Sequence, residues 1–227
     1  MTTAFKLIAK AITLRVPPRI VLFGLMNKIN YLLKTGNRRY EFERLYLESF
    51  DPWAYHTSAY EREKYELTIE RILTLRRGSG VALEVGCSLG VFSGLLAKHF
   101  DDVVSIDISN EAIRSAREHN RRCGNLRFLR TDIQAFDEDL KADIITCAEV
   151  LYYIREADAV SVCQRLEQKL APEGLIIYVS AIASGPESPF YFSGWPEVLG
   201  RYFAPVHREL VDDPSRPYEL IALERRK

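Results

Sequence analysis

Between residues 81 and 180, short apolar runs alternate with amphipathic stretches, and the turns between them are short. The runs at 81–85, 103–108, 126–129, 142–147 and 175–180 each read as a strand, the first, a short apolar run ended by Gly86, as a buried one. Helical patterns fill the gaps. One covers 91–100. A second opens at Ser109, which can cap it, and carries Ile113 and Ala116. A third shows the stripe Ala159, Cys163, Leu166 and Leu170 and is closed by Pro172 and Gly174. Parallel strands need a crossover, and short turns force each helix back onto the sheet. The predicted fold is therefore α/β, a doubly wound, mostly parallel sheet. Past 183 the rhythm stops. A loop at 184–194 leads to a short helix at 195–203. Two strand-like runs, 206–211 and 218–224, flank Asp212-Asp213-Pro214-Ser215-Arg216-Pro217, a strong turn. Without a crossover helix these two should pair antiparallel at the sheet edge.

The chain has 227 residues, enough for one domain of about 150 residues with an elaboration. Lys and Arg total 31 and Asp and Glu total 31. A net charge of zero gives no global polycation and speaks against nucleic acid as the main partner. The balance hides an asymmetry. Residues 1–40 hold Lys6, Lys10, Arg15, Arg19, Lys28, Lys34, Arg38 and Arg39 and no acid, so that stretch is +8 and the remainder −8. Phe5, Ile8, Ile12 and Val16 form a helical stripe stopped by Pro17 and Pro18, and a second helix is predicted over 20–33. Farther on, Ser58 and Glu61 form a capping box that opens a helix with Tyr65, Ile69, Ile72 and Leu73 on one face. The longest apolar run, 20–26, is far short of the ~20 residues that cross a bilayer. Its flanks do not read as a signal sequence. Cys87, Cys123, Cys147 and Cys163 lie far apart with no C-x-x-C pair, which speaks against zinc or a disulfide framework, so no metal site and a cytoplasmic location are expected.

Chemistry concentrates after the first strand, at Leu83-Glu84-Val85-Gly86-Cys87-Ser88-Leu89-Gly90. Open α/β sheets bind ligands at such turns, although glycine also serves many turns that bind nothing. Asp107 ends the second strand and Asp132 follows the third, so acids stand at successive strand ends that converge on one crevice. An acid placed like Asp107 accepts hydrogen bonds from ribose hydroxyls in dinucleotide folds. A diphosphate fits poorly here. Ser88 replaces the glycine that lets a pyrophosphate approach, Glu84 would repel it, and no G-x-x-x-x-G-K-[ST] occurs. A sulfonium nucleoside such as S-adenosyl-L-methionine suits the charge pattern, with Glu84 near its methionyl end, Asp107 on its ribose and Asp132 at its adenine amine. The sign of the charge ranks an oxidoreductase last.

These residues resemble motifs one to four of class I S-adenosylmethionine-dependent methyltransferases: 81–90, then Ser105-Ile106-Asp107, then Thr131-Asp132-Ile133, then Ala148-Glu149-Val150-Leu151-Tyr152-Tyr153. The likeness runs from about Asp51 to Pro172, and Asp51-Pro52-Trp53 with Tyr60-Glu61-Arg62-Glu63 narrows it to the NodS type of small-molecule N-methyltransferase. The resemblance implies a seven-stranded Rossmann-like sheet. Residues 1–50 would be a basic helical extension, 51–77 a lid helix, 78–183 the cofactor-binding core, and 184–227 a substrate-side loop and antiparallel edge. It implies that Glu84, Gly86, Cys87 and Gly90 line the methionyl part and that Asp107 holds the ribose. Ile108 would pack on the adenine, Asp132 and Ile133 bracket it, and Ala148 touch the methionine backbone. Trp53, Tyr60 and Arg62 would form the lid, with Arg62 reaching the cofactor carboxylate. Core packing is the other reading of Trp53 and Tyr60, and a salt bridge to Glu66 is the other reading of Arg62.

Methyl transfer needs an aligned nucleophile in a dry site. Glu149, Tyr152 (with Tyr153) and His56 are the candidates for handling its proton. Glu149 also reads as an acid at a helix N-terminus, and His56 as an exposed loop histidine. Phe190, Tyr191, Phe192 and Trp195 could form a substrate pocket or a core beneath the loop. The expected substrate is a small molecule, acidic or sugar-linked, methylated at an amine, with O-methylation as runner-up. A macromolecular substrate and a non-catalytic cofactor-binding module are the other classes. The basic start could attract an acidic substrate, rest on an anionic membrane, or form an interdomain or dimer face.

Overall fold

The computed structural model describes residues 39–78, 80–182, 192–214 and 216–226. The two helices expected before residue 36, with most of the basic stretch, lie outside the described residues, as do Phe190 and Tyr191. The chain divides into two units, Met1–Pro52 and Trp53–Lys227. In the first, helix α1 (Arg39–Glu48) buries Phe42 and Tyr46, four residues apart, and pairs Arg44 with Glu48 at 3.1 Å. It falls within the stretch expected as a helical extension, although the periodicity placed no individual helix at these positions. The Phe42–Tyr46 spacing is its only mark in the sequence, since no capping residue announces it.

The second unit opens with α2 (Ala59–Leu75). Ser58 caps it, its hydroxyl accepting the Glu61 amide at 3.2 Å. The other half of the expected capping box is absent, because the Glu61 carboxylate turns to Lys64 instead. Removing the cap with Ser58→Ala is expected to lower stability by about 1 kcal/mol in urea unfolding, with the slope of the transition unchanged.

The remaining elements are β1 (Val81–Val85), α3 (Val91–Leu96), β2 (Asp102–Asp107), α4 (Asn110–His119), β3 (Leu126–Arg130), β4 (Ala142–Ala148), α5 (Ala159–Lys169), β5 (Leu170–Ala181), α6 (Trp195–Tyr202), β6 (Phe203–Val211) and β7 (Tyr218–Arg225). They build a seven-stranded sheet in the order β3-β2-β1-β4-β5-β7-β6. Strands β1 to β5 run parallel, while β7 and β6 are antiparallel at one edge, as the turn chemistry at 212–217 requires.

Two boundaries differ from the periodicity. Helix α3 stops at Leu96, where tight turns bring Phe100 into the core and let Asn125 hold the carbonyls of Ala97 and Phe100, both at 2.8 Å. Strand β5 starts at Leu170 rather than 175. Pro172 and Gly174 therefore sit in its irregular first turn rather than closing α5. A Cβ at Gly174 would stand 2.7 Å from the Ala142 carbonyl, so glycine is needed for the strands to approach there.

Strand alternation splits the core in two. Leu83, Val85, Ile106, Ile145 and Tyr178 face α5 and α6. Ala82, Ile144, Ile177, Leu220 and Ala222 face α2 and α3, where Ile69, Ile72, Phe92 and Leu96 meet them. Glu84 falls on this second face, an acid in an apolar row. Among the described residues, no helix is long and apolar enough to cross a membrane.

Candidate functional site

The strand order reverses between β1 and β4, with β2 leaving to one side and β5 to the other. The crevice at the carboxyl ends of such strands is where an open α/β sheet accepts ligands. The chain shapes that crevice by turning three residues out of five left-handed: Gly86 (φ 80°), Ser88 (φ 48°) and Gly90 (φ 74°). Gly86 and Cys87 both donate their amides to the Ile106 carbonyl, at 2.8 and 3.0 Å, which folds the turn tightly against β2. A Cβ at Gly86 would stand 2.5 Å from a Val150 methyl. One at Gly90 would stand 2.7 Å from the Asn120 amide nitrogen and 2.9 Å from the Ala116 methyl. Ser88 takes the same backbone region without glycine's freedom, at a cost of about 1–2 kcal/mol.

The result is a small, partly open cleft beside the turn. Glu84, Gly86, Cys87 and Ser88 form its floor, and Ala148 and Glu149 one wall. Tyr55, Tyr65 and Phe92 form the other wall. Those aromatics continue a file of rings, with Trp53–Tyr55 centroids 5.7 Å apart, Tyr55–Tyr65 6.1 Å and Tyr65–Phe92 5.0 Å. Trp53 thus stands one ring behind the cavity and Tyr55 forms the wall.

Of the two acids expected at the first two strands, Glu84 lines the cavity, while Asp107, like Gly90, lies outside the lining and braces the turn beside it. Glu84 is 5% exposed, and its Oε2 accepts the hydroxyls of Ser93 and, at 2.7 Å, Ser105. Among the described residues its other oxygen has no hydrogen-bond partner. Burial raises the Glu84 carboxyl to about 7, against the pull of the two serines and with a smaller push from Asp107. Asp107 fixes the turn from the side. Its Oδ2 accepts the Ser88 amide at 3.0 Å and its Oδ1 the Ser109 amide at 2.9 Å. Burial pushes the Cys87 thiol well up, so it serves as packing rather than as a thiolate.

The largest electrostatic feature was not legible in the sequence. Lys64, on α2, is 1% exposed. Its ammonium stands 3.1 and 3.0 Å from the two oxygens of Glu61 and 2.9 Å from Glu149 Oε1, and 4.7 Å above the Tyr60 ring. Glu149 Oε2 accepts the Ala181 amide at 3.1 Å. Glu149 itself is left-handed at φ 53°, a strained state for a side chain of its size. It precedes a single 3-10 turn, Leu151–Tyr153, so the reading of an acid at a helix N-terminus does not hold. Burial raises the Glu61 carboxyl, with Lys64 opposing. A lysine inside an amphipathic helix ordinarily marks the solvent face. The available signal was position: Glu61, Lys64, Thr68 and Ile72 fall at spacings of three and four, on the buried stripe.

Several expected residues lie elsewhere. His56 is exposed and its ring meets His119, with nitrogens 3.4 Å apart, away from the cavity. Arg62 is exposed and does not line the cavity. Tyr60 packs edge-on to Tyr218 at 6.0 Å with its hydroxyl buried and unpartnered, so it is core beside Lys64 rather than lid. Ile133 is 1% exposed and packs in the core with Phe136. Asp132 is exposed, and its Oδ1 accepts the Ala135 amide at 2.8 Å, closing a turn. Ile108 is half-buried just past β2, outside the cavity lining. Tyr152 lies against Tyr153 at 4.4 Å, and burial with Glu149 nearby pushes its phenol far up, so it remains a hydroxyl. Trp195 is fully buried in the core, with the half-buried Phe192 packed against it at 5.9 Å, as the core-packing reading has it.

The family model of Nodulation protein S (NodS) matches residues 36–186. The chain belongs to the NodS family. Nodulation protein S of Bradyrhizobium diazoefficiens is 33% identical over 133 residues, 58% of this chain and 63% of that protein. The Sinorhizobium fredii protein of the same name is 32% identical over 138 residues, 60% and 63% of the two chains. The match thus spans just under two thirds of these relatives' length. The crystal structure of the N-methyltransferase NodS from Bradyrhizobium japonicum in complex with S-adenosyl-l-homocysteine superposes with a TM-score of 0.71 at 23% identity, covering 84% of this chain and all of that one. That likeness establishes the Rossmann-like methyltransferase fold for this NodS-family chain. The glycine turn, Asp107 and the Lys64–Glu149 pair all fall inside the matched stretch.

Proposed function

We propose that this NodS-family chain is an S-adenosyl-L-methionine-dependent N-methyltransferase acting on a small-molecule amine, an amino sugar or similar biosynthetic intermediate being the substrate class it suits. The observation that carries the reading is Glu84, a buried carboxylate at the end of β1 with one oxygen still open beside the cavity. An anion in that place suits an ammonium or sulfonium ligand and repels a diphosphate. Family membership and the N-methyltransferase named among the matched structures support the same reading.

In this reading Glu84 holds the ligand's ammonium. Asp107, already fixed by two backbone amides, accepts from the ribose hydroxyls. The close-packed backbone at Gly86 lets the ligand lie against the sheet end. Tyr55 and Tyr65 line the cavity, where their rings exclude water from the ligand. When bound, S-adenosylmethionine supplies an electrophilic methyl group on a sulfonium. The chain's task toward the acceptor is placement at the β4 side, where Ala148, Glu149 and Tyr152 stand, and a path for the proton an amine sheds. A neutral amine needs no strong base, which accords with a site whose tyrosine stays protonated and whose nearest carboxylate is already paired.

The test is transfer of labelled methyl from S-adenosylmethionine to a panel of small amines, amino sugars among them, and of matched alcohols. Label recovered on nitrogen is expected. Label on oxygen alone, or none despite cofactor binding, would overturn the N-methyltransferase reading.

A further inference from the structure

We propose that Lys64 is a positioning residue that fixes the Glu149 carboxylate toward the amine acceptor, so that Glu149 pairs with the cationic nitrogen instead of serving as a general base. The inference rests on the methyltransferase reading and deepens it by assigning the acceptor's charge.

Lys64 reaches Glu149 across 85 positions of sequence, from the middle of α2 to the end of β4. A buried ammonium is retained only where its partners are well placed, and both Glu61 and Glu149 are at contact distance. Glu149 is held at three points: Lys64 on Oε1, the Ala181 amide on Oε2, and a backbone amide donated to the Val179 carbonyl at 2.8 Å. Its left-handed backbone aims the side chain where an ordinary strand ending would not. A carboxylate has about four lone-pair positions. Two are taken, one on each oxygen, and the residue still lines the cavity. What remains is a fixed acceptor for N–H donors. Arg216 also faces these carboxylates from the β6–β7 turn. Among the described residues, Lys64 is the cation in contact with Glu149, which leaves it to set the geometry. An amine attacking a methyl group gains positive charge, and a fixed carboxylate stabilises that charge. A hydroxyl acceptor would instead need a free base, which a doubly engaged carboxylate does not offer.

The ligand pair that reads this directly is S-adenosylhomocysteine and sinefungin, an analogue with an ammonium in place of the methyl-bearing sulfonium. Calorimetric titration of the wild type is expected to show sinefungin bound about tenfold more tightly, or better, as a charge-assisted hydrogen bond gives. Glu149→Gln should bring the ratio to about one. Lys64→Met should also lower the ratio. A lysine that merely neutralised Glu149 would do the opposite, since its removal would strengthen attraction for a cation. Should Lys64→Met leave two buried acids that prevent folding, the double variant Glu61→Gln, Lys64→Met removes one of them, and the same loss of preference is expected. An unchanged or raised ratio in the lysine variants would overturn the positioning role. Equal binding of the two ligands by the wild type would overturn the role of Glu149 while leaving the methyltransferase reading intact. Failure to bind either ligand would overturn that reading itself.

Discussion

Affinity for S-adenosylmethionine is expected to rise about tenfold per pH unit from pH 5.5 toward 7 and to level off above it, as Glu84 loses its proton. The cause is burial. Glu84 gives up hydration on entering the apolar row of β1, and two serine hydroxyls return only part of it, leaving the carboxyl at about 7. A cationic ligand prefers the ionised form, so below that value binding must expel a proton. Calorimetry near pH 6 in buffers of different ionisation heat should register release of about one proton per ligand bound. Glu84→Gln should flatten the profile and weaken binding at pH 8. A flat wild-type profile would contradict the assignment of Glu84 to the ligand.

The same group sets a stability trend of opposite sense. The folded chain binds this proton more tightly than the unfolded chain, whose carboxyl titrates near its ordinary value. The contribution is therefore fully present below about pH 4.5 and is lost as pH rises to about 7. For a displacement of that size the loss is about 3 kcal/mol, and it should vanish in Glu84→Gln. Urea unfolding of the ligand-free chain across that window, wild type against variant, isolates it from other titrations.

Gly86→Ala should be the most damaging small change in the site. A left-handed backbone costs a non-glycine residue about 1–2 kcal/mol. The new methyl would also stand 2.5 and 2.8 Å from two carbons of Val150, an overlap that adds about 1–3 kcal/mol. A loss of about 2–5 kcal/mol in unfolding free energy is expected, together with loss of ligand binding, because Val150 follows Glu149 and pushing it aside disturbs the β4 wall. Val150→Gly in the same chain should recover the part due to overlap and leave the backbone part, which a double-mutant cycle separates. A Gly86→Ala variant within about 0.5 kcal/mol of wild type would show that the turn relaxes freely.

The sheet was legible because its signals are local. Strands β1, β2 and β4 are short apolar runs ended by Gly86, Asp107 and Glu149, and the turn at 212–217 could close only an antiparallel pair. Glu84, Gly86 and Asp107 were readable for the same reason, since strand ends converge whatever the side chains do. Residues whose place depends on partners far along the chain were not readable. Lys64 looks like a solvated lysine until Glu149, 85 positions later, is brought beside it. Ile133 was expected at the cavity, yet its neighbour Phe136 draws it into the core. His56 follows Tyr55 in sequence but turns outward to His119, while Tyr55 turns in. Strand β5 extended past its proline because Leu170 finds Ala142 across the sheet, a pairing that periodicity cannot see.

Parallel titration of the purified chain with S-adenosylmethionine and with NADH at pH 8 decides most directly what the β1–β4 crevice holds. A single-site isotherm for the sulfonium compound, lost in Asp107→Ala, with no heat from NADH, is the expected result. Uptake of NADH without S-adenosylmethionine binding would contradict it.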